Sequence, residues 1–369
     1  MRRRIDTAPN GKPLRSAASC RSRRPVMISG GAGFIGTNLA TQLIENGRDV
    51  LLFDNLSRPG VEENLAWLTD QYGEHVKVEV QDIRDSLAVR HAVARSSAVF
   101  HLAAQVAVTH SLVDPGFDFE VNARGTLNVL EACRGCTTPP PLLFTSTNKV
   151  YGSLADVRCV RDGDCYQPSC AETRAHGVSE ARPLQFHSPY GCSKGAADQY
   201  VLDYARCYSL PAVVFRMSCI YGPHQCGNED QGWLAHFARR IIADEPLSIY
   251  GDGRQVRDVL FVTDLVAAML KAIDQIKVTA GQAFNIGGGP ANAVSLLQVI
   301  DHLAELRGQR PEVEYGPWRQ GDQKYYVSDT RRFQATTGWA PAVDAPQGIE
   351  RLWAWLAEHV VEQPALSGV

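Results

Sequence analysis

At 369 residues, with 44% apolar and 21% charged side chains, the chain has the make-up of a globular protein long enough for one large domain and a smaller lobe. A net charge of −3 leaves no electrostatic footprint for nucleic acid. No apolar run approaches the roughly 20 residues needed to span a bilayer.

Residues 1–24 carry eight basic side chains (Arg2, Arg3, Arg4, Lys12, Arg15, Arg21, Arg23, Arg24) against one acid, Asp6. They lack the hydrophobic stretch of a secretory signal. They also cannot bury enough surface to fold, so they read as a disordered extension. From Pro25 onward short apolar strands alternate with helical patterns. "PVMISG" reads as a buried parallel strand and runs into "GAGFIG". In "TNLATQLIENG" the residues Leu39, Leu43 and Ile44 then recur at helical spacing until Gly47. "DVLLFD", "VKVEVQD", "AVFHLAA", "PLLFTST" and "AVVFRM" continue the strand series, with helices such as "EVNARGTLNVLEACR" between most of them. This alternation predicts an α/β fold, a Rossmann-type doubly wound parallel sheet over residues 25–219. Residues 220–369 are expected to form a smaller mixed α/β lobe, with some segments returning to the larger domain. Its predicted helices are "GWLAHFARRIIAD", "VTDLVAAMLKAI" and "SLLQVIDHLAELRG", the last opening with the capping box Ser295-x-x-Gln298. "PLSIYG" and "AFNIGG" are its short strands. The lobe should sit on the carboxyl ends of the parallel strands, where ligands of such sheets bind.

Ten cysteines need an account. Cys133-Arg-Gly-Cys136 has metal-like spacing, but no second pair stands at zinc-site spacing. Cys159, Cys165 and Cys170 fall in a polar loop. Cys192, Cys207 and Cys219 fall inside apolar patterns, where cysteine acts as a small hydrophobe. Free thiols in a reducing cytoplasm are expected, and no metal is assigned; zinc in the 159–170 loop is the alternative.

Gly30, Gly33 and Gly36 form G-x-x-G-x-x-G between the first strand and its helix. The three allow a tight turn, close approach of backbone to a pyrophosphate, and close helix–strand packing. The helix N-terminus at Phe34 and Ile35 offers unpaired N–H groups to the phosphates. Asp54 ends the second strand, placed to bind the adenosine ribose hydroxyls, with Asn55 beside it. Its carboxylate would repel a 2′-phosphate, which favours NAD over NADP despite the nearby Arg58. Asp82 and Ile83 end the third strand where adenine would lie. Leu102, Ala103, Ala104 and Gln105 leave the fourth strand beside the cofactor. For His101, a strand-end histidine with satisfied bonds is the simpler reading than catalysis.

Tyr190-Gly-Cys-Ser-Lys194 places a tyrosine and a lysine on one helix face. An unperturbed tyrosine, with a pKa near 10, is only about 0.1% phenolate at pH 7. An adjacent ammonium and an oxidised nicotinamide both favour the phenolate. Tyr190 then becomes a usable base for a sugar hydroxyl, and Thr147, at the end of the fifth strand, can bond the same hydroxyl.

Glycine loop, Asp54, hydroxyl step and Tyr190/Lys194 follow one another on successive sheet units. In this order they resemble the extended short-chain dehydrogenase/reductases, the NDP-sugar epimerase/dehydratase family, over nearly all of the chain from residue 25. "FDNLSRPGVEENLAWL", "TSTNKVYG", "FHSPYGCSKGAADQYVLDYAR", "RMSCIYGPHQCGNEDQGWLAHF" and "YGDGRQVRDVLFVTDL" narrow the likeness to the branch that inverts C2 of CDP-linked deoxysugars. The resemblance implies Thr147, Tyr190 and Lys194 as the catalytic trio. It adds Asn122 to the cofactor contacts. For the substrate it implies Gln105, Asn148, Gln231 and Tyr250, with Arg257 and Arg319 on the nucleotide diphosphate. Arginine suits that role because its planar fork binds phosphate oxygens in pairs. Where relatives often carry asparagine, this chain has Cys219. The helices "EVNARGTLNVLEACR" and "SKGAADQYVLDYARCY" resemble the pairing helices of homodimers or homotetramers.

Related 4,6-dehydratases place an Asp-Glu pair after the strand-five hydroxyl to expel water. Here Asn148 and Lys149 stand there, and neither serves as a carboxyl acid or base. Oxidation followed by reduction from the other face needs no such pair, so epimerisation is the expectation, with NAD recycled each turnover and a CDP-sugar favoured as substrate. Inversion at C4, action on GDP- or UDP-hexoses, and an NAD-binding sensor without turnover stay open.

Overall fold

The computed structural model describes residues 24–319 and 322–360. The extension expected over residues 1–24 thus lies outside the described residues, apart from the exposed Arg24. Seven strands form a parallel sheet: β1 (Val26–Ser29), β2 (Val50–Asp54), β3 (Val76–Val80), β4 (Ala98–His101), β5 (Leu142–Thr147), β6 (Ala212–Met217) and β7 (Ala283–Ile286). Their spatial order is β7-β6-β5-β4-β1-β2-β3, the doubly wound order whose direction reverses between β1 and β4. Both sheet faces are buried except at the edge strand β3, where Val78 and Val80 are exposed, and alternate residues feed two apolar layers. Val26, Ile28, Val50, Leu52, Leu143, Val213 and Phe215 pack on one side, beside Leu39 and Leu43 of the helix Phe34–Glu45. Met27, Leu51, Phe53, Leu142, Phe144 and Val214 pack on the other, beside Val129, Ala197 and Val201. This explains why the strands read as continuous apolar runs rather than as alternating ones.

Two segments placed in the smaller lobe by sequence belong to the large sheet and its cover. "AFNIGG" supplies β7, hydrogen-bonded to β6 from Ala283 opposite Val214 to Ile286 opposite Met217. Its side chains feed both layers, Ala283 one and Phe284 and Ile286 the other, as those of the other strands of the sheet do. The helix Val262–Asp274 packs Leu265, Val266 and Met269 into the layer that holds Leu39 and Leu43. The remaining lobe is organised on the strand Val256–Phe261. It pairs in parallel with Cys219–Tyr221 and Tyr325–Tyr326, and antiparallel with Ala293–Ser295. Leu247–Tyr250 pairs in parallel with Val313–Gly316. The helix Leu296–Arg307 carries the expected capping box at Ser295 and Gln298.

The polar 159–170 stretch folds into an antiparallel hairpin, Cys159–Asp162 with Cys165–Pro168. Tyr166 anchors it to the lobe, donating from its backbone to the Arg254 carbonyl at 3.0 Å and from its phenol to Asp252 at 2.7 Å. Among the described residues the cysteines are free thiols, and no group of three His, Cys, Asp or Glu side chains could hold a metal. Among them, too, no helix is long and apolar enough to cross a membrane.

The helix Ser188–Tyr208 is tied to β6 through a bidentate ion pair. Arg216 donates from Nε and Nη2 to the two Asp198 oxygens, both at 2.9 Å. The side chains are 5% and 0% exposed. Removing one partner strands a charge without water, so Arg216→Met is expected to destabilise the protein by about 3–5 kcal/mol. Joint replacement with Asp198→Leu should restore most of the loss in chemical denaturation, and a double variant no better than the single one would refute this account.

Candidate active site

The glycine loop leaves β1 at Gly30, whose φ of 71° lies in the left-handed region. A Cβ there would stand 2.8 Å from the Ala103 nitrogen, so the turn and the β4 exit are pressed together. At Gly36 a Cβ would meet the Gly30 carbonyl at 2.4 Å, whereas at Gly33 the nearest atom is 3.2 Å away. Gly36 therefore fits helix to strand, and Gly33 keeps an open face. Gly33 is also the N-cap, with no side-chain cap, ahead of Phe34 and Ile35. Uncapped amides beside an open glycine face fit a pyrophosphate. Gly31, which sequence reading passed over, is as tightly enclosed, with a Cβ 2.8 Å from the Ile28 carbonyl.

Asp54 accepts from the backbone of Ala32 at 3.1 Å and of Leu56 at 2.9 Å, so its carboxylate is fixed beside the loop. Burial raises its pKa, while these bonds and Arg58 work the other way. Arg58 is turned toward Gln231, to which it donates. Asn55 donates to Asp82 at 3.0 Å. Asp82 is also held by Arg84, whose bond is the main cause of its fall to about 2. Ile83 packs under Gly125. The Asp54, Asn55, Asp82 and Ile83 quartet thus frames one edge of the loop.

Thr147, Tyr190 and Lys194 come together at the carboxyl end of β5, all less than 9% exposed. Thr147 and Tyr190 share a side-chain hydrogen bond. Lys194 differs from expectation: its ammonium donates to the Thr145 carbonyl at 2.6 Å and lies 4.3 Å from the Phe144 ring centroid. Burial pushes Tyr190 up to about 12, with the Thr147 bond opposing and Asp118 adding to the rise. Burial likewise pulls Lys194 down to about 7, against the charges of Asp198 and Asp118. Ser188, two residues before Tyr190, takes a φ of 63°, uncommon for a side-chain-bearing residue. Its Oγ accepts the Gly191 N–H at 3.2 Å, fixing the first turn of the helix.

Beneath this trio lies a polar frame. Asn122 exchanges two bonds with the Gln105 backbone, both 3.0 Å, and donates to Asp118 and Ser193, each at 3.1 Å. The Gln105 amide donates to Asp118 at 2.8 Å and to the Ala107 carbonyl at 2.9 Å, and its oxygen accepts from the Ala107 N–H at 2.6 Å. Gln105 and Asn122, expected to face ligands, therefore direct their side chains inward. Asn122 sits in a π-helical turn, Glu120–Arg124, which the helical pattern did not reveal. Asp118 and Ser193 were missed altogether. The i, i+4 spacing of Asp118 and Asn122, and a serine beside Lys194, were the available signals. His101 is neutral, pulled to about 3 by burial and then by Lys194. Thr126 gives its proton to the Asn122 carbonyl at 2.6 Å, so it accepts from His101 Nε2 at 3.0 Å, and His101 Nδ1 accepts from Ser29 at 2.7 Å. The imidazole is satisfied by two hydroxyls rather than by backbone.

Across the cleft, Asn148 is buried, with Oδ1 accepting from Thr147 at 3.4 Å. Arg257 is buried and ion-paired to Asp322 at 2.6 Å. Arg319 lies 4.1 Å over the Tyr250 ring and pairs with Asp230 at 3.3 Å. Tyr250 donates to Glu229. Gln231, bonded to Arg58, closes the turn Asn228–Gln231. Cys219, on the strand beside Arg257, has its thiol pKa raised by burial.

The pattern of the "NAD dependent epimerase/dehydratase family" matches residues 26–287. The chain is 40% identical over 337 residues to a CDP-paratose 2-epimerase of Salmonella typhi, covering 89% of this chain and 98% of that protein. The UDP-glucose 4-epimerase of Thermotoga maritima, solved with UDP-glucose, superposes with a TM-score of 0.77 at 30% identity, covering 91% of this chain and 99% of the other. The Thermus thermophilus UDP-glucose 4-epimerase, solved with NAD, gives 0.75 at 31% identity, covering 90% and 98%. The chain belongs to the NAD-dependent epimerase/dehydratase family of extended short-chain dehydrogenase/reductases, and its cofactor is NAD.

The depressed Lys194 has a consequence for stability. Between about 7 and the ordinary lysine value of 10.5 the unfolded chain binds a proton that the folded chain does not, so this residue makes stability rise with pH across that window. Lys194→Met should therefore melt a few degrees above wild type at pH 7 in cofactor-stripped protein, with the gap closing toward pH 10.5. A gap that stays constant in thermal melts across the window would show that the ammonium is not the cause.

Proposed function

We propose that this family member is a nucleotide-sugar 2-epimerase of the CDP-paratose to CDP-tyvelose type, acting by transient oxidation at the sugar C2 hydroxyl and reduction from the opposite face. The observation that carries the reading is Asn148-Lys149 at the end of β5. Dehydration needs a carboxyl acid to protonate a leaving hydroxyl and a carboxylate to take a proton from carbon. An amide and an ammonium supply neither, while an oxidation–reduction cycle needs only one base at one hydroxyl. The 40% likeness to a CDP-paratose 2-epimerase supports the choice of carbon and of cytosine.

The residues then divide the work. Bound NAD supplies the redox partner and, when oxidised, a positive ring that favours the Tyr190 phenolate. Thr147 orients the C2 hydroxyl against Tyr190, which takes its proton and later returns it. Lys194, bonded to the Thr145 carbonyl, would favour the phenolate whenever its ammonium is protonated. Burial of all three excludes water, so a transient ketone stays protected. Gly33, Phe34 and Ile35 would hold the pyrophosphate and Asp54 the adenosine ribose. On the substrate side, Arg257 and Arg319 would take the diphosphate, with Tyr250 and Gln231 lining the nucleotide end. Tyr200 and Tyr208 are exposed aromatic residues on one of the helices expected to pair subunits, and a homodimer or homotetramer through these helices completes the proposal.

Direct oxidation at C2 leaves no exchangeable proton on the inverted carbon. Turnover in D2O should yield unlabelled product, read by NMR over a panel of CDP-, GDP- and UDP-hexoses and deoxyhexoses; deuterium at the inverted carbon would point to enolisation instead. Tyr190→Phe should lower kcat by about 10²–10⁴-fold and keep its nicotinamide, released on denaturation. Unimpaired turnover would remove Tyr190 from the chemistry, and a non-catalytic NAD sensor would show no turnover in either form.

A further inference from the structure

Lys149 is the one residue of the β5 exit without a part in the chemistry above. Its backbone N–H donates to Thr147 Oγ1 at 3.2 Å, so it is fixed two residues beyond the hydroxyl that meets the sugar. The neighbours Asn148 and Val150 are buried, and Lys149 itself is half-buried. Its ionisation is coupled to three groups from other elements: Arg257 on the strand Val256–Phe261, Asp322 ahead of Tyr325–Tyr326, and Cys219 on Cys219–Tyr221. Arg257 donates to Asp322 at 2.6 Å and to its own neighbour's carbonyl, Val256, at 2.8 Å. Asp322 also accepts from the Gln323 backbone at 3.0 Å. Among the described residues the Lys149 ammonium has neither a hydrogen bond nor an ion pair of its own. Asp322 is thus taken by Arg257 at 2.6 Å while Lys149 senses both charges without bonding either, and burial raises the pKa of the Cys219 thiol. Burial first, and Arg257 second, lower the Lys149 pKa. A desolvated site with positive charge in excess is an anion site.

The position of that excess relative to Thr147 is informative. On a hexose, the carbons flanking C4 are C3 and C5, and a 4,6-dehydratase sets its acidic pair toward C5 and C6. The carbons flanking C2 are C3 and the anomeric carbon, which carries the phosphate. When Thr147 holds the C2 hydroxyl, the residues after it meet the glycosyl phosphate instead of C5–C6. A carboxylate would repel that group and an ammonium attracts it. We propose that Lys149 and Arg257 clasp the sugar-proximal phosphate of the substrate from two sides, so that Lys149 is a positioning residue that selects C2 for oxidation. The inference rests on the nucleotide-sugar reading above.

The test compares nucleoside diphosphates with monophosphates, since only the former carry the phosphate at issue. CDP, CMP, UDP, UMP, GDP and GMP are titrated calorimetrically into the NAD-loaded full chain as wild type, Lys149→Met and Lys149→Arg. Lys149→Met should weaken the preferred diphosphate by roughly 10- to 100-fold and leave its monophosphate within about twofold, with Lys149→Arg recovering part of the loss. Wild-type diphosphate affinity should fall as pH rises through the lowered lysine pKa, because only the ammonium binds the anion, and the methionine variant should lack that dependence. Retained nicotinamide in the variants reports that they are folded, and if the methionine variant is not, the arginine variant and the wild-type pH profile decide. Equal weakening of di- and monophosphate, or unchanged diphosphate affinity with lost turnover, overturns the proposal. If no diphosphate binds the wild type better than its monophosphate, the nucleotide-sugar reading itself fails.

Discussion

A lysine ammonium with almost no access to water sits under the active site, and the surrounding packing answers to it. An isolated cation in such a place is costly. Lys194 is accommodated by the Thr145 carbonyl, the face of Phe144, and the carboxylates of Asp198 and Asp118 at longer range. Each of these has its own restraint. Asp198 is locked by Arg216 from β6, and Asp118 collects donors from Gln105, Asn122 and Ser193. The ends of β4, β5 and β6 are thereby fastened to one helix, the one that carries Tyr190. Placing a charge where chemistry needs it and joining sheet to helix are the same act of construction.

Much of this was legible in the chain. Apolar runs without alternation give a covered parallel sheet, and the glycine loop, Asp54, Thr147 and Tyr190/Lys194 fall on successive units of it. What stayed hidden depends on contacts between distant residues. The Ser193–Asp118 bond joins positions 75 apart, and no local pattern marks either as a partner. Lys194 bonds a backbone carbonyl, which side-chain identities cannot disclose. "AFNIGG" looks the same whether it joins a lobe or the edge of the main sheet, because three apolar residues around one asparagine carry no address. The hairpin over 159–168 has neither period-two alternation nor a hydrophobic stripe, and it forms because Tyr166 and Arg254 fasten it to the lobe. Gln105 and Asn122 illustrate the converse: a residue at the right place by motif turned out to brace the site from behind.

On the proposed reading, the exit of β5 decides the reaction type. Thr147, Asn148 and Lys149 lie on consecutive backbone positions, with the Thr147 hydroxyl accepting the Lys149 N–H, so their side chains stand at fixed offsets from the Thr147 hydroxyl. Exchanging acids for an amide and an ammonium changes which neighbours of a ketone can be attacked, while the redox half of the machinery stays as it is. A fold of this kind can thus diversify by altering two residues.

The turn Asn228–Gln231 is gripped from both sides. Arg58, beside the Asp54 carboxylate, holds Gln231, while Arg319 and Tyr250 hold Glu229 and Asp230. Such a turn cannot swing away from one flank without loosening the other. Whatever rests on Asp54 and whatever rests on Tyr250 therefore bias a shared element, and by linkage each alters the affinity of the other by the same factor. With NAD at Asp54 and the nucleotide sugar at Tyr250, as proposed, the two ligands would be coupled through this strap of four residues.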